Sequence, residues 1–492
     1  MSAAHSPQPD HQSPQDQKIS GQAILIIGIL VFTTFIMMLN ETALAVALPD
    51  IMAEFGIGAA TAQWALTGVM LTMAIMMPTT GWILDRFTTR QVYLTAAVFF
   101  LAGSAVAALS PSFTIMLVGR VLQAVGTAIV MPLQMTVVMT IVPPARRGTV
   151  MGVISIVMAV GPALGPTFAG AVMSVSTWHM TFWIMAALVT VAGLLGAWKL
   201  TNIGQMKKSP LDVLSVILSA FAFGGLVYGL SSVGAIIGGT DGAAVAWIVL
   251  GIGAVGLALF VWRQLALRSS GRALLNLKPL TVRNFVVAVI VILLFQGTML
   301  GISNTLPLYL QGALLASVLL AGLANLPGGL VETVFSPVSG ALFDRIGPRP
   351  LVIPGTIIGA GSLYWMATAD HTTSVATIMV MYAVFSFGLA MVLTPLMTTA
   401  LGSLPADIYS HGSAIMNTLM QLAGAAGTAV MIAVFDVVSH RGGNTQEAIG
   451  HGGGSAFLIG AILLTVAAVA TFFLHRPETG QRVKTVQSEE PR

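Results

Sequence analysis

The sequence predicts an all-α membrane protein of fourteen transmembrane helices, arranged as two six-helix pseudo-repeat bundles plus an inserted two-helix hairpin around a central cavity. Three observations predict it. Of 492 residues, 56% are hydrophobic and only 8% charged, with a mean hydropathy of +0.91, whereas a soluble domain carries about 25% charged residues. Apolar runs of about 20 residues, enough to cross a bilayer as helix, recur along the whole chain. A Gly-x-x-x-Asp-Arg turn also occurs twice, as "GWILDRFTTR" (81–90) and "GALFDRIGPR" (340–349), each at the end of a predicted span.

Residues 1–20 are rich in Gln, Pro, Ser and His and are expected to form a disordered cytoplasmic tail. The first apolar run has no convincing small-residue cleavage site after it, so it reads as an uncleaved span. Hydropathy over a window of about 19 residues predicts spans at 22–48, 59–84, 92–110, 112–141, 148–173, 179–200, 211–233, 243–265, 284–311, 316–342, 351–369, 375–401, 411–438 and 455–475. The repeated turn follows the second and the tenth. "GTAIVMPL" (126–133) and "GLAMVLTPL" (388–396) echo each other two spans later. The expected organisation is an N-terminal bundle over 21–205, a hairpin over 206–270, a C-terminal bundle over 271–476 and a cytoplasmic tail over 477–492. Two similar halves around a midplane cavity suit alternating access. The 52 glycines let membrane helices approach closely.

With the N-terminus placed in the cytoplasm, nearly all Lys and Arg residues fall in cytoplasmic loops and tails. Arg120 lies inside a span, and Arg441 lands outside. This is the positive-inside pattern, with both termini in the cytoplasm of a multi-pass inner (plasma) membrane protein. It also accounts for the net charge of +4 and the pI near 9.5. The basic residues form no stripe and have no interleaved aromatics, which argues against a nucleic-acid partner. With no cysteine in the chain, disulfides, thiolate metal sites and cysteine nucleophiles are excluded. No nucleotide loop, metal-ligand cluster or catalytic dyad stands out, and no loop is long enough for a separate catalytic domain. A sensor or an enzyme is therefore disfavoured, and no metal or cofactor is expected.

Polar residues inside the spans are the candidate site. A charge at a membrane-helix centre costs about 2.5–3.5 kcal/mol on insertion scales, so an intramembrane acid points to function or to a paired structural role. Glu41, beside Asn40, lies in the first span and Glu332 near the middle of the tenth, with Asn325, Ser336 and Ser339 on its face. Arg120 begins a polar stripe with Gln123, Thr127 and Gln134 on one side of span four. An arginine cannot realistically release its proton, so it would act as a switch partner or as a structural tether. Asn417 and Gln421, with Gly424 and Thr428, line span thirteen, and Gln296, Asn304 and Gln311 recur in span nine. Such stripes serve substrate contact or interhelical hydrogen bonding. Met37, Met38, Trp64, Phe295 and Tyr309 could add an adaptable apolar surface or simply pack.

Five stretches resemble the major facilitator superfamily, and in particular its fourteen-span drug:proton antiporter branch near the lincomycin-resistance type of exporters. "LNETALAVALP" (39–49) is similar to the first-helix motif of that branch. The two Asp-Arg turns are similar to its loop signature, "RVLQAVG" (120–126) to its fourth-helix pattern and "GPALGPTFAG" (161–170) to its fifth-helix antiporter motif. The branch commonly has Asp where this chain has Asn40, with the acid displaced to Glu41, and Gly where this chain has Thr88. Gly347 keeps the glycine in the second copy.

The resemblance implies proton-driven export of hydrophobic or cationic small molecules, antibiotics included, with drugs and protons as partners and the proton gradient in place of any cofactor. It implies Glu41, Arg120 and Glu332 in proton coupling and cation handling, and the doubled Gly-Pro of Gly161, Pro162, Gly165 and Pro166 as a tight helix contact sealing one face. Asp85, Arg86 and Arg90, with Asp344, Arg345 and Arg349, would break and reform contacts between two states. Export or symport of a specific metabolite by the same fold is the alternative. Partner proteins, stoichiometry and the identity of the main proton carrier stay open.

Overall fold

The computed structural model describes residues 19–203, 210–232, 243–268, 272–443 and 445–474. Lys18, Lys207, Lys208, Arg476, Arg482, Lys484 and Arg492, which support the sequence-based orientation, lie outside the described residues, as do both predicted tails apart from residues 19 and 20. Within them the regular structure is helical. The long helices are α1 (Gly21–Phe55), α2 (Trp64–Arg86), α3 (Thr89–Ala108), α4 (Phe113–Ile141), α5 (Arg147–Met173), α6 (Trp178–Lys199), α7 (Val213–Ser231), α8 (Ala243–Leu267), α9 (Arg283–Gly312), α10 (Leu326–Ile346), α11 (Arg349–Ala367), α12 (Val375–Gly402), α13 (Tyr409–Arg441) and α14 (Gln446–Thr471). Among the described residues, 12 helices are long and apolar enough to cross a membrane. Sequence hydropathy predicts two more, and the two not among the twelve are α5 and α10. Helix α10 carries Glu332, Asp344, Arg345 and two prolines in 21 residues, which dilutes its apolar character.

Local chemistry sets the ends of these helices. Ser20 caps α1 by accepting from the Ala23 amide, and Gly56 ends it in the left-handed region at φ 61°. A capping box starts α3: the Thr88 hydroxyl accepts from the Gln91 amide, and Gln91 accepts in return from the Thr88 amide. Helix α7 contains one π turn, Ala220–Gly224.

The helices pack as two clusters. In the first, α3 lies on α4 and α6, α1 lies on α4, α5 and α6, and α2 lies on α4. In the second, α9 lies on α12, α13 and α14, α11 on α12 and α14, and α10 on α12. Two helix pairs make most of the contact between the clusters, α5 with α10 and α2 with α13, and α4 with α13 and α5 with α12 add smaller ones. The hairpin of α7 and α8 lies at one of these seams: α7 touches both α2 and α13, and Trp64 stacks on Tyr228 at 5.8 Å. Helix α8 packs on α7 through Gly253 and Gly256 and leaves Trp247, Ile248, Val255 and Trp262 exposed, as a lipid-facing helix would.

Candidate functional site

The polar residues of α1 and α4 form one buried network. Arg120 is only 1% exposed although it carries a charge. Its Nε donates to the Ala65 carbonyl at 3.3 Å, and its Nη1 donates to the Asn40 carbonyl at 3.4 Å and to Gln123 Oε1 at 3.1 Å. Gln123 Oε1 also accepts from Asn40 Nδ2 at 3.2 Å, and Gln123 Nε2 donates to Ser104 at 2.8 Å. One guanidinium thus ties α1, α2 and α4 together, with Ser104 bringing in α3. Arg120 Nη2 is buried with no hydrogen-bond partner. The half-buried Glu41 stands close enough for its charge and that of Arg120 to act on each other. Carbonyl and amide oxygens satisfy part of the cation, and among the described residues no ion pair joins it to the neighbouring acid.

Sequence spacing foresaw Asn40, Glu41, Arg120 and Gln123 as site residues, and the fold brings them together. Gln134 lies elsewhere on the α4 stripe and accepts from Thr34 of α1. The Gly-Pro motif of α5 packs on the same segment of α1. A Cβ at Gly161 would meet Met38 Cβ at 2.8 Å, and one at Gly165 would meet the Leu39 carbonyl at 2.7 Å and the Ala43 amide at 3.0 Å. These contacts fall on Met38, Leu39 and Ala43, so α5 braces the turn of α1 that carries Asn40 and Glu41 on its other sides. Helix α5 runs unbroken through Pro162 and Pro166; the Pro162 side chain lies outside the described residues.

The second cluster holds its polar residues apart from that network. Glu332 is half-buried on α10 and near Tyr382 of α12, and among the described residues it makes no ion pair or hydrogen bond. Asn325 precedes the first turn of α10, with its Oδ1 buried and unpartnered. Asn304 is exposed and donates to the Leu300 carbonyl and to Thr428 of α13 at 3.4 Å. Asn417 and Gln421 reach the first cluster, at Met135 Sδ (3.3 Å) and Met73 Sδ (3.9 Å). Phe295 and Tyr309 are fully buried, so they pack, and Tyr309 donates to the Asp370 carbonyl at 2.8 Å.

Each Asp-Arg turn meets the N-terminus of a helix in the other cluster. Asp344 Oδ1 accepts from the Gly148 amide at 2.8 Å, and its Oδ2 accepts from the Thr149 amide at 2.8 Å and the Thr149 hydroxyl at 2.6 Å. Asp85 accepts from the Ser410 hydroxyl, and His411 Nε2 lies 3.4 Å from its Oδ2. Both acids sit in the last turn of their own helix, where the dipole disfavours negative charge. The opposing helix N-terminus offsets that. Close backbone approach is needed at the first of these contacts: a Cβ on Gly148 would lie 2.6 Å from Asp344 Oδ1.

Further bonds between the clusters lie on the same side. Arg147 donates to the Tyr409 hydroxyl at 3.3 Å and closes the end of α4 through the Met139 and Val142 carbonyls. Ser413 donates to the Pro132 carbonyl at 3.2 Å, and Ser155 pairs with Thr394 at 2.7 Å. The residues that trail each turn anchor it. Thr89 bonds to Ile203, and Arg349 donates to the Leu474 carbonyl at 2.6 Å. Arg90 and Arg345 are exposed, and Arg86 is half-buried.

Sequence reasoning missed Arg147, Gly148, Thr149, Ser410 and His411. The repeat itself carried the signal: an aspartate copied at both turns requires a donor set copied on the facing helix.

The chain matches the family model described as Major Facilitator Superfamily over residues 30–428. It is similar to the Lincomycin resistance protein LmrB of Listeria monocytogenes, at 37% identity over 474 residues covering 94% of this chain and 99% of that one. It is also similar to the Uncharacterized MFS-type transporter YcnB of Bacillus subtilis, at 37% identity over 92% of this chain and 95% of that one. Two solved structures share the fold at low identity. The human organic anion transporter MFSD10 has a TM-score of 0.64 and 16% identity, covering 93% of this chain and 100% of that one. The proton:xylose symporter XylE has a TM-score of 0.65 and 15% identity, covering 93% and 97%. Repeated turns that lock opposite clusters, and a sequence match across most of the length, lead to one conclusion: the chain belongs to the Major Facilitator Superfamily.

Proposed function

We propose that the chain is a proton-coupled exporter of hydrophobic and cationic drug-like molecules, working by alternating access in the plasma membrane. The observation that carries this reading is the buried Arg120 network beside Glu41, in a chain 37% identical to a lincomycin resistance protein over nearly its whole length. Counting α5 and α10 gives fourteen spans: bundles over 21–205 and 271–476 and a hairpin over 206–270. The loop charges support cytoplasmic termini. The locked Asp85/Asp344 end is then the cytoplasmic end, and a cavity between the clusters opens to the other side. Asn40, Gln123, Gln134, Asn304, Asn325, Asn417 and Gln421 are the candidate cavity residues.

In this scheme a proton from outside neutralises Glu41 or Glu332. A bound cation loses its counter-charge and leaves, and the deprotonated protein binds drug again when the Asp85/Asp344 end opens. Arg120 stays charged throughout and interacts differently with the two forms of Glu41, so proton and drug bias one equilibrium.

The test is drug accumulation in a sensitive host, with and without a proton uncoupler. The wild type should lower accumulation of lincomycin and of a lipophilic cation, and the uncoupler should abolish this. Glu41→Gln should lose gradient-driven export while still binding drug, and Glu332→Gln should lose export of cations more than of neutral drugs. Full antiport in Glu41→Gln removes that acid from the mechanism. Export blind to the uncoupler, or competed by one metabolite alone, overturns the reading.

A further inference from the structure

The α7–α8 hairpin is connected to the Asp85 contact by a series of hydrogen bonds and one peptide link. Arg263 of α8 donates twice to Asp212 at the start of α7, both at 2.7 Å. Asp212 also accepts from Ser215, and the Ser215 hydroxyl accepts from Gln264 Nε2 at 2.7 Å. Gln264 is 1% exposed, and its Oε1 accepts from the Leu275 amide at 3.1 Å, in the segment leading to α9. The next residue, Asn276, donates its amide to Nδ1 of His411 at 3.3 Å.

The last bond decides the chemistry of the histidine. A ring nitrogen that accepts from an amide carries no proton, so the proton of a neutral imidazole must lie on the other nitrogen. That other nitrogen, Nε2, faces Asp85 Oδ2 at 3.4 Å. The surroundings hold the ring in place. It is 7% exposed, Leu275 is buried beside it, and the motif glycine Gly81 leaves room for it: a Cβ there would meet His411 Nδ1 at 2.7 Å.

We propose that Gln264 is a positioning residue for the contact between Asp85 and His411: by holding the Leu275–Asn276 segment it fixes His411 as the Nε2–H tautomer, so that the hairpin sets how firmly the Asp85 end locks. The hairpin is therefore a brace across the α2/α13 seam. The brace acts on the opening of that end, and so rests on the alternating-access reading above.

Two readouts on the full chain in liposomes separate the brace from that reading. The first is the 15N spectrum of histidine-labelled protein, with His411 assigned among the eight histidines by its loss in His411→Gln. The wild type should show an unprotonated, hydrogen-bonded Nδ1. Gln264→Leu should broaden or shift that signal, and Gln264→Glu, which keeps an acceptor for the Leu275 amide, should restore it. The second is the distance between spin labels at Phe87→Cys and Ile346→Cys, in a chain with no native cysteine.

Gln264→Leu and His411→Gln should each raise the separated population about fivefold, the effect of one lost hydrogen bond. Their combination should exceed neither. A proton on Nδ1 in the wild type, an unmoved signal in Gln264→Leu, or label effects that multiply in the double variant overturns the brace. The wild-type spectrum alone decides the tautomer if Gln264→Leu fails to assemble. A single label distance under every condition overturns alternating access, leaving the His411 signal to judge the brace.

Discussion

The two Asp-Arg turns perform one geometric task with different chemistry. Asp344 binds the second and third residues of α5 largely through backbone amides, Gly148 and Thr149, plus one hydroxyl. Asp85 binds the second and third residues of α13 through side chains, Ser410 and His411. The turns behind the acids differ too. Gly347 adopts φ 80°, while Thr88 at the matching position has φ −68° and caps α3. The lesson is that the repeat conserves where a negative charge meets a helix N-terminus, and leaves the donor to the local sequence. Glycine at the second position lets the acid reach the backbone, and serine keeps it at side-chain distance. The Asp85 contact is accordingly open to adjustment by whatever holds His411, and the Asp344 contact is not.

The largest effect should come from Asp344→Ala, which strips three charge-assisted bonds and takes from the Gly148 and Thr149 amides of α5 their shared acceptor. Such bonds are worth about 1.5–3 kcal/mol each before relaxation, so the closed population of the Asp344 end should fall about 100-fold, read by spin-label distances across the α5/α10 seam. An equal loss in Asp85→Ala would erase the contrast between the turns. Gly148→Ala should come next, destabilising closure by about 1–3 kcal/mol through overpacking against α10.

The turn residues allow a reciprocal exchange. Gly347→Thr should lower thermal stability by about 1–2 kcal/mol, because a β-branched residue resists positive φ. Thr88→Gly should cost a few tenths of a kcal/mol, about what a cap loses when replaced by glycine. A larger effect of Thr88→Gly would show that the capping box, and not the helix-end contact, organises the first turn.

The smallest effect lies furthest from the turns, at Asp212. Its hydrogen bonds from the Arg263 guanidinium hold its carboxyl down at about 2, against an ordinary value of 3.8. A lowered acid stabilises the fold above its unfolded value and loses that contribution as pH falls through the folded one. Melting curves of wild type and Arg263→Gln should therefore differ by a constant small margin above about pH 4 and converge towards pH 2.

Hydropathy located each long helix but not all its ends: α1 runs on to Phe55, α14 begins at Gln446 rather than 455, and α10 begins at Leu326 rather than 316; burying backbone hydrogen bonds in lipid leaves few alternatives to a helix. The doubled turn revealed the repeat, and the i, i+3 spacing of Arg120 and Gln123 placed both on one face. Helix spacing could not show that the guanidinium would be met by the carbonyls of Asn40 and Ala65, since a backbone carbonyl on a neighbouring helix has no signature in side-chain order. Nor could it separate Gln134, on the same stripe, from the Arg120 group. Phe295 and Tyr309 lie inside α9's packed face, though their residue types suited a binding surface equally well.

What the sequence determined by itself was the set of long helices, the doubled Asp-Arg turn and the few polar groups placed inside the helices, because those follow from composition and from periodicity along one helix. Only the tertiary structure decided which helix ends face one another, that Asp344 meets amides while Asp85 meets His411, and that the hairpin's Gln264 holds the segment touching that histidine. Those pairings join residues far apart in the chain, and they are fixed by close glycine approach and by the need of each buried polar group for a partner.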